Sequence, residues 1–173
     1  MRWTILKKME NGWDVKMSVE LISKDEKSFI VEQSLLIQSK VITDMLEESE
    51  DEKKVVNLLN VEAKILEKVI AYIKNHKDNK AAEIEKPLKG KLSESVSKWD
   101  YEYISVDNST LIEIIMAANY LDIKDLLDLA CAKVAESIKG RTPEQIREMF
   151  GIENDFTPEE EEKIREENKW VEA

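Results

Sequence analysis

Residues 13–21, WDVKMSVEL, alternate without a break: Trp13, Val15, Met17, Val19 and Leu21 take one side, and Asp14, Lys16, Ser18 and Glu20 the other. A two-residue period is that of a half-buried strand. A strand cannot stand alone, because its backbone groups need a neighbouring strand and its apolar face needs a covering layer. The chain must therefore build a sheet near its start and back one side of it. Asn11-Gly12, just before the alternation, is a good two-residue hairpin turn that lets residues 3–9 pair back. The competing reading makes Met17 the start of the folded chain and residues 1–16 an extension with no partner strand.

Further strands follow. KSFIVEQ at 27–33 comes after a turn at Lys24–Glu26, and KVVNLL at 54–59 is short and β-branched. Between them, residues 34–48 recur at helical spacing through Leu36, Val41 and Met45, which predicts one or two short helices. Asn60 stands where a cap would start a helix through VEAKILEKVIAYIKNHK, with Ile65, Val69, Tyr72 and Ile73 on one face. This order of elements predicts a small α+β domain, a sheet backed by helices. Residues 77–98 are rich in Lys, Glu and Ser, and their apolar residues suggest no period, so the stretch reads as a mobile linker.

Everything beyond is helical in pattern. A short helix is expected near Trp99–Ile104, then a longer one capped at Asp107 or Asn108 that buries Leu111, Ile114, Ile115, Ala118 and Leu121. At 100° per residue, Ile112, Met116 and Tyr120 form a second stripe with Asn119 beside it. KDLLDLACAKVAESIK carries a wide apolar arc of Leu126, Leu127, Ala130, Cys131, Val134 and Ile138, ended by Gly140. TPEQIREMFGI begins at a Thr-Pro start and places Ile146, Met149 and Phe150 on one side. The last stretch, DFTPEEEEKIREENKWVEA, starts equally well but offers only Ile164, Trp170 and Val171 to bury beyond Phe156. A helix that cannot hold itself down yet carries a tryptophan points to a partner.

Chemistry is scarce. With 26 basic and 37 acidic side chains the formal charge is -11, which repels nucleic acid and anionic membranes and leaves proteins as the expected partners. No run approaches the ~18 apolar residues of a membrane span, and residues 1–13 lack the blocks of a signal peptide. The single cysteine, Cys131, fits a reducing compartment, so a cytoplasmic and nuclear location is expected. His76 reads as a solvated residue at a helix end, and Cys131, among apolar neighbours, as an inert thiol. The four glycines form no phosphate cradle, and the acidic runs read as solvated helix faces, with Glu159–Lys163 and Glu161–Arg165 as pairs. No catalytic, cofactor-binding or metal-binding residue is expected, and no cofactor.

The string AANYLDIKDLLDLAC, with IKGRTPEQIR and NDFTPEEEE…REENKW after it, resembles the S-phase-kinase-associated-protein-one adaptor family. LISKDEKSFIVEQ…ITDML and LLNVEAKILEKVIAY resemble its BTB/POZ half more loosely, so the likeness runs from about residue 18 to 172. It implies a BTB/POZ domain at 18–76 and a helical dimerisation and F-box-binding region at 99–173, on either side of the linker at 77–98, and leaves residues 1–17 outside it as an N-terminal extension with the possible hairpin. It also implies a non-catalytic bridge between a cullin and F-box receptors in an SCF-type ubiquitin ligase, with a weak homodimer when free. By the same resemblance, Met116, Asn119 and Tyr120, with parts of the helix ending ITDML, would face the cullin. Leu127, Cys131, Val134, Ile138, Phe150, Ile152 and Trp170 would face the F-box. Against the family pattern, Asp25-Glu26 replaces a common Asp-Gly, Leu59 a usual proline, Tyr103 a usual Phe and Lys169 a common Gln. The alternative outside the resemblance's ubiquitin role is a self-associating structural scaffold.

Overall fold

The computed structural model describes residues 17–48 and 54–169; the expected hairpin of residues 3–9, and Trp170, lie outside them. Residues 1–136 and 137–173 form two compact units.

The first unit contains β1 (Ser18–Ser23), β2 (Ser28–Glu32), a 3-10 helix (Gln33–Gln38), α1 (Lys40–Glu48), β3 (Val55–Leu58), α2 (Ala63–Asn75), α3 (Leu92–Ser95), α4 (Lys98–Ile104) and α5 (Asn108–Tyr120). Most of α6 (Lys124–Ile138) belongs to it as well. The sheet runs β2-β1-β3, antiparallel between β1 and β2 and parallel between β1 and β3. The alternation does its expected work: Val19 and Leu21 on β1, Val31 on β2 and Val56 and Leu58 on β3 are buried together. Leu36, Ile42, Leu66, Val69 and Ile73 from the helices join the same core.

The cap of α2 does not come from Asn60. The residue before the helix is Glu62, whose side chain makes no cap bond. Instead Asp25, in the β1–β2 turn, accepts the backbone N–H of Ala63 at 2.7 Å. That bond, with the Ser23 hydroxyl donating at 2.9 Å, holds the Asp25 carboxyl down at about 2, below its ordinary 3.8. A carboxylate lowered in the folded state adds stability above its ordinary range and loses it as pH falls toward the folded value. Acid titration of stability should therefore show a loss between 3.8 and about 2 that is smaller in Asp25→Ala than in the parent, read by circular dichroism.

The adjoining Glu26 occupies the left-handed region at φ 61°. An L-residue there costs roughly 1–2 kcal/mol, of which glycine's extra unfolded freedom returns ~0.5–1. Glu26→Gly should raise stability by up to about 1 kcal/mol in urea melts; a lower midpoint would show that the Glu26 side chain contributes something its backbone conceals.

Two further expectations meet a different arrangement. Residues 77–98, expected as a mobile linker, are not without structure: they contain α3, bury Leu92 completely and pack Ile84, Leu88 and Val96 on the core. Glu136 of α6 accepts the backbone N–H of Leu92 at 2.9 Å, and Lys86 pairs with Asp128 at 2.7 Å. Nor is His76 solvated. Its side chain is 6% exposed, its Nε2 lies 3.1 Å from Oδ1 of Asp100, itself 5% exposed, and its ring stacks on Tyr72 at 4.1 Å. The approach is close without being an aligned hydrogen bond, since Oδ1 has no hydrogen-bond partner among the described residues. Asp100 is also held by Ser97, which caps α4 and donates its hydroxyl to Oδ2 at 2.8 Å.

The second unit, with the last residues of α6, holds α7 (Pro143–Phe150) and α8 (Pro158–Glu167). Both open with a full capping box, Thr142 with Gln145 and Thr157 with Glu160, and a proline at the first helical position. Gly140 and Gly151 take the left-handed conformation that ends the preceding helices, at φ 73° and 64°. Neither α7 nor α8 has a buried residue, as the polar sequence of the last helix foretold.

Candidate functional site

Two apolar stripes run along α5, and the structure separates them. Leu111, Ile114 and Ala118 are buried against the first unit's core. On the other side Met116 is 66% exposed, Asn119 is exposed, Tyr120 is half-buried and Ile112 is largely uncovered. The helix ends are fixed. Asp107 accepts the backbone N–H of Thr110 at 2.9 Å and its hydroxyl at 2.7 Å. Past the C-terminus Asp122 turns left-handed, at φ 50°, so that Ile123 N–H reaches the Ala118 carbonyl at 2.9 Å. The carbonyl of Leu121 then accepts the buried hydroxyl of Ser39 at 2.6 Å. Ser39 immediately precedes α1, so the end of α5 that carries Asn119 and Tyr120 is tied to the start of the helix that contains ITDML. Met116, Asn119 and Tyr120 thus share one exposed side of a helix end that is tied to α1.

On α6 the wide arc divides. Leu126, Leu129, Ala130 and Ala132 are core, while Leu127, Cys131 and Val134 form an outer stripe at i, i+4 and i+7, with Cys131 exposed between two half-buried neighbours. Partial burial pushes the Cys131 thiol up, with the charge of Asp128 adding to the effect. A thiol so raised is a poor nucleophile, in keeping with its expected inertness.

In the second unit Ile138 and Phe150 are half-buried and Ile152 is 55% exposed. Phe156 and Ile164 are exposed as well and belong with them, although the resemblance did not select them. Their signal was present: they are the large apolar residues in an otherwise acidic stretch. Arg147 lies over the Phe156 ring at 5.8 Å and pairs with Glu161 at 3.4 Å, and Asn154 donates to the same carboxylate at 2.8 Å. The expected Glu161–Arg165 pair is therefore replaced by one that joins α7 to α8.

Among the described residues no three His, Cys, Asp or Glu side chains are grouped to hold a metal ion, and no helix is long and apolar enough to cross a membrane. One depression, lined by Leu36, Ile37, Thr43 and Leu46, measures about 80 Å³, and another, beside Asp100, about 10 Å³. Small-molecule sites run from roughly 300 Å³ upward. The functional features of these surfaces are apolar stripes, which suit proteins rather than reactants.

Residues 17–78 match the model of the Skp1 family tetramerisation domain, and residues 124–171 that of the Skp1 family dimerisation domain. SKP1-like protein 11 of Arabidopsis thaliana is 48% identical over 153 residues, 88% of this chain and 95% of that protein. The chain belongs to the Skp1 family. Its other Skp1 relatives are as near: the S-phase kinase-associated protein 1 homolog of Tetrahymena thermophila is 49% identical over 156 residues, 89% of this chain and 93% of that one. The SCF ubiquitin ligase complex protein SKP1a of Dictyostelium discoideum is 44% identical over 154 residues, 89% and 95% of the two chains. The α+β architecture, with a small sheet and helices ahead of a helical region, is that expected of a Skp1 chain.

Proposed function

We propose that this Skp1 chain is the non-catalytic adaptor of an SCF-type ubiquitin ligase, bridging a cullin scaffold and F-box substrate receptors and so supporting ubiquitin-dependent degradation. Family membership carries the proposal, together with a relative whose name places it in an SCF ubiquitin ligase complex. The mechanism is positioning. A bridge that holds a receptor at a fixed distance from the transfer machinery raises effective concentration and needs no reacting group of its own.

In this reading the cullin is met by Met116, Asn119 and Tyr120, with α1 beside them. Support comes from the exposed methionine and from the hydrogen bond that ties the two elements. The F-box is met by Leu127, Cys131 and Val134 on α6, and by Ile138, Phe150, Ile152 and Trp170. Tyr120→Lys should weaken cullin binding by about 2 kcal/mol, some 30-fold, and spare F-box binding, measured by titration calorimetry. Equal loss of both affinities would show that the assignment of faces is wrong. Co-expression with several unrelated F-box segments tests the role itself, and failure of every one to form a complex would sink it.

A second reading is favoured by the names of the two matched domains: the free chain self-associates weakly. Light scattering across a dilution series distinguishes the cases. A reversible dimer fits an adaptor awaiting partners, whereas an oligomer that survives dilution and F-box addition fits a scaffold. A cytoplasmic and nuclear location accords with the single free cysteine, and fractionation of tagged protein tests it.

A further inference from the structure

The outer stripe of α6 is bordered by a second element of the first unit. Ile84 shares the lining of the small depression beside Asp100 with Asp125 and Leu129. Two residues on, Lys86 donates from Nζ to Oδ1 of Asp128 at 2.7 Å, and further along the backbone N–H of Leu92 donates to Glu136 at 2.9 Å. Asp125, Asp128 and Glu136 stand on one flank of α6, so residues 84–92 run beside that helix as a strap, from its first turn towards its end. Leu88 holds the strap to the core, while Lys86 and Pro87 are exposed. Asp128 also neighbours Cys131 at i, i+3, and the charges of Asp128 and Lys86 both act on the Cys131 thiol. The strap therefore adjoins the middle of the Leu127–Cys131–Val134 stripe.

We propose that residues 84–89 form a side wall of the F-box surface, and that an F-box segment seated on Leu127 and Cys131 extends over Pro87 and the Lys86–Asp128 pair. The proposal rests on the F-box reading of the stripe. Area is the first support: a stable complex takes roughly 20–30 residues a side, more than the stripe and its companions supply, and the strap continues the stripe sideways. Chemistry is the second. The Pro87 ring and the four-carbon stem of Lys86 are apolar, and the ammonium is already engaged by Asp128, so a partner can cover both without stranding a lone charge. In the free chain the side chains of the pair are 64% and 29% exposed, and a pair so solvated adds little to stability. Covered by a partner it loses water, and removing one member then leaves the other unpaired at the interface. Lys86 and Asp128 thus act as positioning residues whose coupling belongs to the complex.

The test uses the full chain and one F-box segment that the parent binds in co-expression. In titration calorimetry Lys86→Met should weaken association at least about tenfold, and adding Asp128→Asn should recover most of that loss. Urea melts of the same free chains should keep nearly the parent midpoint. A smaller loss of affinity, a loss that Asp128→Asn leaves in place, or a lowered midpoint in Lys86→Met overturns the proposal. Hydrogen exchange needs no substitution: in the parent, residues 84–89 should exchange at least about threefold more slowly once the segment is bound, and unchanged exchange there overturns the wall. Failure of the parent to bind any F-box segment would instead remove the F-box reading itself, whereas binding without coupling or protection removes the wall alone.

Discussion

His76→Leu is expected to lose about 2–4 kcal/mol of folding stability, from the lost packing of a buried ring and from leaving a buried polar neighbour without its nearest partner. The His76 and Asp100 side chains are nearly excluded from water, and their close contact joins the end of α2 to α4. Removing the imidazole leaves the Asp100 side chain buried with only the Ser97 hydroxyl, which donates to its Oδ2, beside it. It also removes a ring stacked on Tyr72 and packed edge-on to Trp99 at 5.7 Å. The polar part of the penalty arises from the orphaned Asp100 side chain, so His76→Leu combined with Asp100→Leu should recover that part of the loss. Urea melts of the four species decide it: two additive losses would mean that each side chain matters for its packing and that the contact between them contributes little.

The second large effect is on binding. Trp170→Ala is expected to weaken F-box association by about 2 kcal/mol or more, 30-fold or beyond, while the melting temperature of the free chain stays nearly constant. The contrast rests on α8, which has a capping box, a proline at its first position and three acidic side chains in its first turn, yet buries nothing. Such a helix is encoded locally and is held, among the described residues, by polar contacts at Glu161 rather than by apolar burial, so a tryptophan following it has more to contribute to a partner than to the free fold. A large drop in melting temperature with affinity intact would make Trp170 a core residue and remove it from the F-box set.

Features encoded by neighbours in sequence were legible. The alternation of β1, the Asp107 cap, both Thr-Pro helix starts and the double stripe of α5 each depend on residues within a turn or two of one another. Features made by distant residues were not. The cap of α2 is supplied from 38 positions upstream by Asp25, so the nearby Asn60 attracted a role that it does not fill. His76 looked like a helix-end histidine because its partner, Asp100, lies beyond a segment taken for a linker. In that segment Ile84, Leu88, Leu92 and Val96 do recur, every fourth residue, but Pro87 and Gly90 interrupt the stretch and only Leu92–Ser95 completes a helical turn. The anchoring is seen only when α6 is brought alongside with Asp128 and Glu136. For the site, pattern alone found the exposed stripe of α5, the resemblance supplied the residues proposed for the F-box, and geometry added the exposed Phe156 and Ile164.

The hydroxyl of Ser39 on the Leu121 carbonyl has a kinetic consequence. It spans 82 positions of sequence and fastens the start of α1 to the end of α5 in the free chain. If the proposed cullin face lies here, it is assembled in advance and has no slow rearrangement left to make. Stopped-flow mixing with a cullin fragment should then give one exponential whose rate climbs linearly with concentration, without the plateau of a step that must precede docking. Ser39→Ala, by loosening the two elements, should introduce that plateau.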